Sequence, residues 1–465
     1  MKRLFLLLCA GLLAVLPAFA QPKKAGPAGG AATAAAKICA EPYQVREAAD
    51  GVPEGPVVIL FHREKSKAPW ARNLAIRMPG VEAATPASAH TVVCVEESRI
   101  EAGRYDSGEP AYSPAWDITL VRIADRRVFF GRTGFYGAAP PGVKYHRGAG
   151  VGKPPVEMFT RWLRLLIDQK VARFKMKFPA KEYHEASSLS FSADGSRLAL
   201  AQEPRSSSSG TPPTPITVFD LASGKTVTTL HTDYIVRAVT LSRTGKLLAT
   251  ERYGHPEIWD VATGAMIAKL DASGVESLAF GPGSAPGDEV LATANKESTT
   301  LWDAGSRQAL RSAPGTHATL SKEGKWLVAR KEGKRINVQE LESGRILANF
   351  PDVSAPDKYV ISRDGLSLAR YSSLGGSMFT VSVPDRIDLG LPALGVGILY
   401  AVAPTNDGFA LGNGDGIAGL ISSSNTEARA FATDHTAIHA LAVSLDGKLL
   451  AVGDSSGNVS VWELL

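Results

Sequence analysis

The sequence has few of the residues that catalytic and metal sites usually require. Its 465 residues include only three cysteines and nine histidines, with no Cys-x-x-Cys pair and no phosphate-binding glycine loop. Residues 412–416, Gly-Asn-Gly-Asp-Gly, superficially resemble a calcium loop but lack its spaced carboxylates, and a tight hairpin explains them. We therefore expect no metal, no cofactor and no catalytic activity.

A strong charge of one sign is also absent. The 51 basic and 46 acidic side chains leave a formal charge of +5, which is mild and dispersed along the chain. Such a balance does not indicate nucleic-acid binding. Beyond the N-terminus, no segment is apolar enough to cross a bilayer.

The N-terminus has the pattern of a secretory signal peptide. Met1-Lys-Arg3 is positive, residues 4–16 are largely apolar, and Ala18-Phe-Ala20 supplies small residues before Gln21. A membrane anchor is the alternative, but spanning a bilayer takes about 20 apolar residues. We expect residues 1–20 to be removed near Ala20, which places the mature chain in the periplasm or outside the cell. Loss of Lys2 and Arg3 lowers the charge from +5 to +3.

Two cysteines remain after that cleavage, Cys39 and Cys94. In an oxidising compartment an isolated pair is a disulfide candidate. The alternative is a pair of free thiols, since Cys94 lies in an apolar run typical of a buried strand. Residues 21–38, rich in Ala, Gly and Pro, are interpreted as a flexible linker.

Residues 39–172 contain no repeat and are predicted to form a small α+β domain. Strands are expected at residues 56–61, 91–95, 116–123 and 127–131, and the last two form a hairpin. Apolar residues at helical spacing predict a closing helix over residues 156–167. His62-Arg63-Glu64 follows the first strand, where α/β enzymes place active groups, but a solvated loop at the strand end is the favoured interpretation of these residues.

From residue 173 onward a turn phrase recurs about every 40 residues. It consists of Ser or Thr, two residues and Gly, at residues 192–195, 242–245, 321–324, 362–365, 405–408 and 444–447. Residues 281–287 interrupt it in the third unit. A third-strand ending also recurs, as in Ile258-Trp259-Asp260 and Val461-Trp462-Glu463. A repeat period of about 40 residues is typical of a four-stranded propeller blade.

These phrases resemble the WD40 repeat family over about 290 residues. The resemblance implies a mainly β fold, a seven-bladed β-propeller over residues 173–465, joined to an N-terminal accessory domain of unknown function as in bacterial exported proteins. Trp259-Asp260 and Trp302-Asp303 keep the signature pair. The family's Gly-His dipeptide is missing from its usual place and its Asp-His-Ser-Trp arrangement is incomplete, although His231 and His435 stand near the histidine position.

The repeat phase leaves the last blade one strand short, because the chain ends at Leu465 just after a third strand. Residues 174–178, Phe-Lys-Met-Lys-Phe, alternate as a strand and lie just before the first repeat. We expect them to pair with residues 459–462 and close the ring, which removes an exposed edge.

The function predicted from these features is a non-catalytic scaffold that binds another protein or an envelope component. The alternatives are a periplasmic propeller enzyme and a small-ligand sensor built on the N-terminal domain. Propellers bind through loops on one face, and the basic and aromatic residues of those loops are candidates for a partner-binding patch. These residues are Tyr234, Arg252, Tyr253, Lys296, Lys331, Lys334 and Arg335.

Overall fold

A computed structural model gives the fold of the chain. It describes residues 30–465 apart from the following segments: 42–52, 54, 64–69, 73–77, 80, 106, 137–149, 152, 169–170, 179–183, 205–213, 233–235, 253, 283–288, 315, 322–324, 332–334, 341–342, 352–357, 372–377, 384–387, 391–398, 423–424 and 434–436. The predicted signal peptide, residues 1–20, and the first part of the predicted linker lie outside the described residues.

The N-terminal part of the chain forms a five-stranded sheet and two helices. The helices are α1 (Gly30–Ala40) and α2 (Val156–Asp168), and the strands are β1 (Val57–Arg63), β2 (Thr91–Arg104), β3 (Pro110–Arg122), β4 (Val128–Tyr136) and β5 (Gly150–Val151). The strand order is β1-β2-β3-β4, with β5 paired to β3. β1 runs parallel to β2, whereas the β2–β3 and β3–β4 pairs are antiparallel.

Helix α2 covers one face of this sheet through a single apolar stripe. Phe159, Trp162, Leu163 and Leu166 are all fully buried, and their spacing places them on one side of the helix. They pack in one cluster that contains Trp116 of the sheet. The same cluster includes residues of a later sheet, so α2 also joins this unit to the repeat region.

The structure corrects the predicted linker over residues 21–38. From Gly30 onward the chain is helix α1, and Ala35, Ile38 and Cys39 are buried against the sheet face opposite α2. Alanine side chains allow a helix to approach a sheet closely, and the helix is also tied at its end. Cys39 and Cys94 form a disulfide with a Cα–Cα distance of 5.4 Å.

This disulfide gives a direct prediction. Replacing Cys39 and Cys94 by serine is expected to lower the free energy of unfolding by about 4 kcal/mol, because the bond closes a loop of 55 residues. Denaturant titration of the wild type and the double variant measures the difference. Wild-type protein that is denatured without reductant should take up no thiol reagent at these positions, and full labelling of both would contradict the pairing.

The rest of the described chain forms seven four-stranded sheets. In the first four, each strand pairs antiparallel with the next in chain order. Sheet 1 uses β7 (His184–Phe191), β8 (Arg197–Pro204), β9 (Thr214–Asp220) and β10 (Thr226–Thr232); sheet 2 uses β11 (Val236–Leu241), β12 (Leu247–Arg252), β13 (His255–Asp260) and β14 (Met266–Lys269); sheet 3 uses β15 (Ser277–Pro282), β16 (Glu289–Ala294), β17 (Ser298–Asp303) and β18 (Ala309–Pro314); sheet 4 uses β19 (Thr316–Leu320), β20 (Trp326–Lys331), β21 (Arg335–Glu340) and β22 (Ile346–Pro351).

The last three sheets continue the pattern, with one exception at the end. Sheet 5 uses β23 (Lys358–Ile361), β24 (Ser367–Tyr371), β25 (Met378–Ser382) and β26 (Asp388–Gly390); sheet 6 uses β27 (Leu399–Pro404), β28 (Gly408–Asn413), β29 (Ile417–Ser422) and β30 (Asn425–Ala432); sheet 7 uses β31 (Ile438–Val443), β32 (Leu449–Asp454), β33 (Val459–Leu464) and β6 (Ala172–Phe178). The fourth strand of sheet 7 thus comes from the segment that precedes sheet 1.

This pairing is the one that the sequence predicts for residues 174–178. Val459 lies opposite Phe178, Val461 opposite Met176 and Trp462 opposite Phe174, with Lys175 at a bulge. The first strands of successive sheets contact each other, and the first strand of sheet 7 contacts that of sheet 1. The seven sheets therefore follow one another in a closed cycle of contacts.

The repeated turn phrase has a local physical basis. In the first unit the Ser192 hydroxyl donates to Asp194 at 2.6 Å and accepts from the Arg197 N–H at 3.0 Å. Gly195 has a φ of +68°, a backbone conformation that favours glycine. The same serine–aspartate bond recurs at Ser362 and Ser444. The spacing of Ser, Asp and Gly therefore sets where the first two strands of a sheet meet.

Candidate functional site

The alternation of strands gives the cycle of sheets two different ends. Turns between first and second strands and between third and fourth strands lie at one end, called the turn face here. Loops between second and third strands, and links to the next sheet, lie at the other end, called the loop face. Among the candidate binding residues, Arg252, Lys296, Lys331 and Arg335 belong to the loop face by this topology.

Two of these candidates have described side chains. Lys296 is exposed in the loop between β16 and β17. Arg335 is exposed at the start of β21, where its guanidinium donates to both the side chain and the carbonyl oxygen of Asn349. Arg252 is the last residue of β12, and Lys331 is the last residue of β20. The side chains of both residues lie outside the described part of the chain. Tyr234, Tyr253 and Lys334 also lie outside the described residues.

A cleft of about 500 Å³ opens on the loop face between sheets 2 and 3. Sheet 2 contributes Arg237 and Glu251, and sheet 3 contributes Glu276 and the loop that carries Lys296. The cleft therefore contains one of the predicted patch residues together with acidic groups that the sequence analysis did not single out. Those glutamates stand singly at strand ends, so no motif identifies them.

The acidic groups change the character of the predicted basic patch. Lys296 Nζ lies 3.8 Å from Glu276 Oε1 in an exposed ion pair. Glu251 is buried, and one of its carboxylate oxygens accepts the backbone N–H of Gly254. The cleft is thus a mixed site in which carboxylates outnumber cations, rather than a basic surface.

The turn face, in contrast, is nearly closed at its centre. The cavity there has a volume of only about 60 Å³ and is lined by residues of six sheets, including Arg243 and Arg363. Arg363 extends from the turn of sheet 5 across sheet 6 to sheet 7. Its guanidinium donates to the carbonyl oxygens of Val443, Ser444 and Leu445 at 2.6, 2.6 and 3.1 Å, and to Asn406 Oδ1 at 3.2 Å. Arg363 therefore links three sheets at this face.

Aspartates cap the outer turns of the same face. The backbone N–H and then the hydroxyl of Thr263 bond to Asp260 and hold the pKa of its carboxyl below the usual value. For Asp220, the Ser223 hydroxyl is the larger cause of the lowered pKa and the Ser223 N–H is the next. These carboxylates act on their own turns, so their function is structural.

Part of the family's tryptophan arrangement is present. The indole N–H of Trp259 donates to Thr250 Oγ1 at 3.1 Å, and that of Trp302 donates to Thr293 Oγ1 at 2.9 Å. His231 is exposed and His435 lies outside the described residues. These bonds join second and third strands within a sheet and have no catalytic geometry.

Two glycine-rich segments form hairpins. In residues 412–416, Asn413 Oδ1 accepts the N–H groups of Asp415 and Ile417. Residues 453–457 form a Gly-x-Ser-x-Gly sequence that the motif analysis overlooked, but they connect β32 to β33 and not a strand to a helix. The buried Asp454 accepts the N–H groups of Ser456 and Asn458 there.

The described part of the chain has neither a metal-binding cluster nor a membrane-spanning helix. No group of three or more His, Cys, Asp or Glu side chains within it has the arrangement to hold a metal ion. None of its helices has the length and apolarity needed to span a membrane.

Comparison with known families gives one match. The family model described as WD domain, G-beta repeat matches residues 428–463. The matched segment begins within β30, the outer strand of sheet 6, and continues through β31 and β32 into β33. Its repeat unit is therefore offset from the sheets by one strand. No curated protein matches the chain.

Proposed function

We propose that the protein is an exported, non-catalytic scaffold whose seven sheets form a WD40-type β-propeller. The observation that carries the proposal is the WD repeat at residues 428–463, because domains of this kind typically bind other proteins and lack enzymatic activity. The offset between repeat and sheet supports the propeller, since each repeat then ties two neighbouring sheets together. The closed cycle of contacts between first strands supports seven blades.

The partner is another protein or an envelope component, bound on the loop face. Two contrasts between the faces support this choice. The cavity on the turn face has a volume of only about 60 Å³, and Arg363 at its edge is already bonded to carbonyl oxygens of sheet 7. The loop face offers a cleft of about 500 Å³ with charged groups at its rim, a size typical of ligand sites.

The experiment that tests this function compares the two faces in the full-length exported protein. The loop-face variant is Glu297→Lys, at the rim of the cleft, and the matched turn-face variant is Asp407→Lys, with both side chains exposed. We expect affinity capture from envelope extracts to recover a protein that the loop-face variant loses and the turn-face variant retains. Equal recovery by both variants, or loss in the turn-face variant alone, would contradict binding through the loop face.

Export gives a separate prediction. The positive residues 1–3, the apolar run and Ala18-Phe-Ala20 indicate cleavage before Gln21. N-terminal sequencing of protein from the periplasm or the medium is expected to begin at Gln21. A mature chain that starts at Met1 and sediments with membranes would show that the segment is an anchor.

A further inference from the structure

We infer that the cleft between sheets 2 and 3 binds a cationic side chain, lysine or arginine, of the partner protein. This inference rests on the proposed function, because it assigns a chemistry to one place on the loop face. The inference is based on three observations: the position of Glu251, the close packing of the loops around this residue, and the balance of charges in the cleft.

Glu251 is the anchor of the site. The residue is only 8% exposed, although it lies next to the end of β12, and it lines the cleft. One carboxylate oxygen accepts the N–H of Gly254, and the described residues supply no further hydrogen bond to Glu251. A buried carboxylate is stabilised by a cation or further donors, and a ligand in the cleft that Glu251 lines can supply them.

The loops that hold Glu251 pack backbone against backbone. Gly254 has a φ of +82°, and a Cβ atom added to it would lie 2.6 Å from the backbone nitrogen of Gly274. The Val275 N–H donates to the Gly254 carbonyl oxygen at 2.9 Å. The glycine thus permits a close approach that fixes the distance between the two sheets at this point, so the carboxylate is held in place before a ligand arrives.

The loop between β16 and β17 of sheet 3 is held by hydrogen bonds of the Asn295 side chain. The Asn295 side-chain amide donates to the Ser273 carbonyl oxygen at 3.0 Å. Its Oδ1 atom accepts the N–H groups of Glu297 and Ser298 at 2.8 and 2.7 Å. These bonds set the position of the loop that carries Lys296 and Glu297 at the rim.

The charges of the cleft favour a cation over an anion. Glu251, Glu276 and Glu297 line it together with Arg237 and Lys296. Lys296 is paired with Glu276, and all the rim groups except Glu251 are exposed and screened by water. The most buried charge is therefore negative, and a buried charge contributes more to ligand binding than an exposed one.

The volume of the cleft indicates that the ligand is a side chain attached to a peptide backbone. About 500 Å³ exceeds what one ammonium or guanidinium group occupies, so the neighbouring backbone of a bound segment also fits. Arg237 and the Lys296–Glu276 pair at the rim are available to that backbone and to its flanking side chains.

The test uses the full-length exported protein and four capped tripeptides. They are acetyl-Gly-Arg-Gly-amide, acetyl-Gly-Lys-Gly-amide, acetyl-Gly-Glu-Gly-amide and acetyl-Gly-Gly-Gly-amide, and binding is followed by ligand-observed NMR titration. We expect the arginine and lysine peptides to bind at least about tenfold more tightly than the other two. Glu251→Gln should weaken their binding about tenfold, because glutamine can still accept the Gly254 N–H but carries no charge.

Control variants separate charge from folding. Glu463→Gln changes an exposed glutamate in β33 and should leave binding unchanged. Glu276→Gln alters only an exposed rim residue, so it keeps the fold and should weaken binding less than Glu251→Gln does. The inference is overturned if the glutamate or glycine peptide binds as tightly as the cationic ones. Binding that is indifferent to Glu251→Gln in a variant with an unchanged melting temperature would overturn it too.

These outcomes are distinct from those of the capture experiment. If the loop-face variant loses a partner but the cationic peptides do not bind at Glu251, the scaffold function stands and the inference fails. If the peptides bind through Glu251 but no partner depends on the loop face, the cation site stands, and the assignment of its ligand to a partner protein fails together with the proposed function.

Discussion

The Phe178→Ala variant is expected to lose about 3–5 kcal/mol of unfolding free energy, the range for truncating a large buried aromatic side chain. Phe178 ends β6 and is 3% exposed. Its ring stacks on that of Phe219 in sheet 1, with centroids 4.0 Å apart, while its backbone lies opposite Val459 in sheet 7. Removal of the Phe178 ring therefore weakens the contact between the first and last sheets of the cycle. Chemical denaturation of the full chain measures the resulting change in unfolding free energy.

The control for this variant lies one residue earlier. Lys177→Ala removes an exposed side chain from the same strand and should change the unfolding free energy by no more than about 0.5 kcal/mol. We also expect Phe178→Ala to aggregate on heating, because loosening β6 uncovers the edge of β33. Equal stability of the two variants would mean that β6 does not hold sheets 7 and 1 together.

Replacing Arg363 by methionine is expected to lower the free energy of unfolding by about 3 kcal/mol. The change removes every hydrogen bond from the guanidinium to sheets 6 and 7 and leaves the carbonyl oxygens of Val443, Ser444 and Leu445 without their charged donor. Bonds to charged groups contribute about 1.5–3 kcal/mol each, and the bonds here share one side chain, so they do not add fully. Denaturant titration measures the loss, and Arg363→Lys should recover part of it.

Arg243→Met is the matched control for this second prediction. Arg243 occupies the same place in the turn phrase of sheet 2 and lines the same cavity, but its side chain is exposed. We expect its replacement to change the unfolding free energy by about 0.5 kcal/mol or less. Similar losses at both positions would show that the effect comes from the phrase itself and not from the bonds that cross between sheets.

The repeat region was largely predictable because its signals are local. Ser, Asp and Gly at fixed spacing produce a turn through bonds within five residues, as at Ser192 and Ser444. The six turn phrases together with the interrupted third unit predict seven sheets, and the missing last strand predicts the use of residues 174–178. The pairing of Trp462 with Phe174 follows from that count and not from any pattern in the two segments alone.

Features that depend on distant contacts were not predictable in this way. The alanine-rich run of α1 has little apolar periodicity, and its packing depends on a bond to Cys94, 55 residues away. Arg363 resembles any exposed arginine in a turn, since its partners at residues 443–445 lie two sheets further on. Glu251 and Glu276 belong to different sheets, so only the fold shows that they line one cleft.

The central claim, that the segment before the first sheet closes the cycle by pairing with the last strand, is tested most directly by a cross-strand disulfide. Arg173 and Glu463 lie opposite each other in the β6–β33 pair, and both side chains are exposed. Under oxidising conditions, Arg173→Cys/Glu463→Cys is expected to form a monomer in which peptide mass mapping finds residues 173 and 463 joined.

The comparison variant is Lys177→Cys/Glu463→Cys. Lys177 lies opposite Ser460, so its Cα is about 10 Å along the strand from the position facing Glu463, beyond the reach of a disulfide. This pair should stay reduced under the same conditions. Closure of the cycle through β6 predicts a bond at 173–463 and none at 177–463; a reduced 173–463 pair, or equal bonding in both variants, would contradict it.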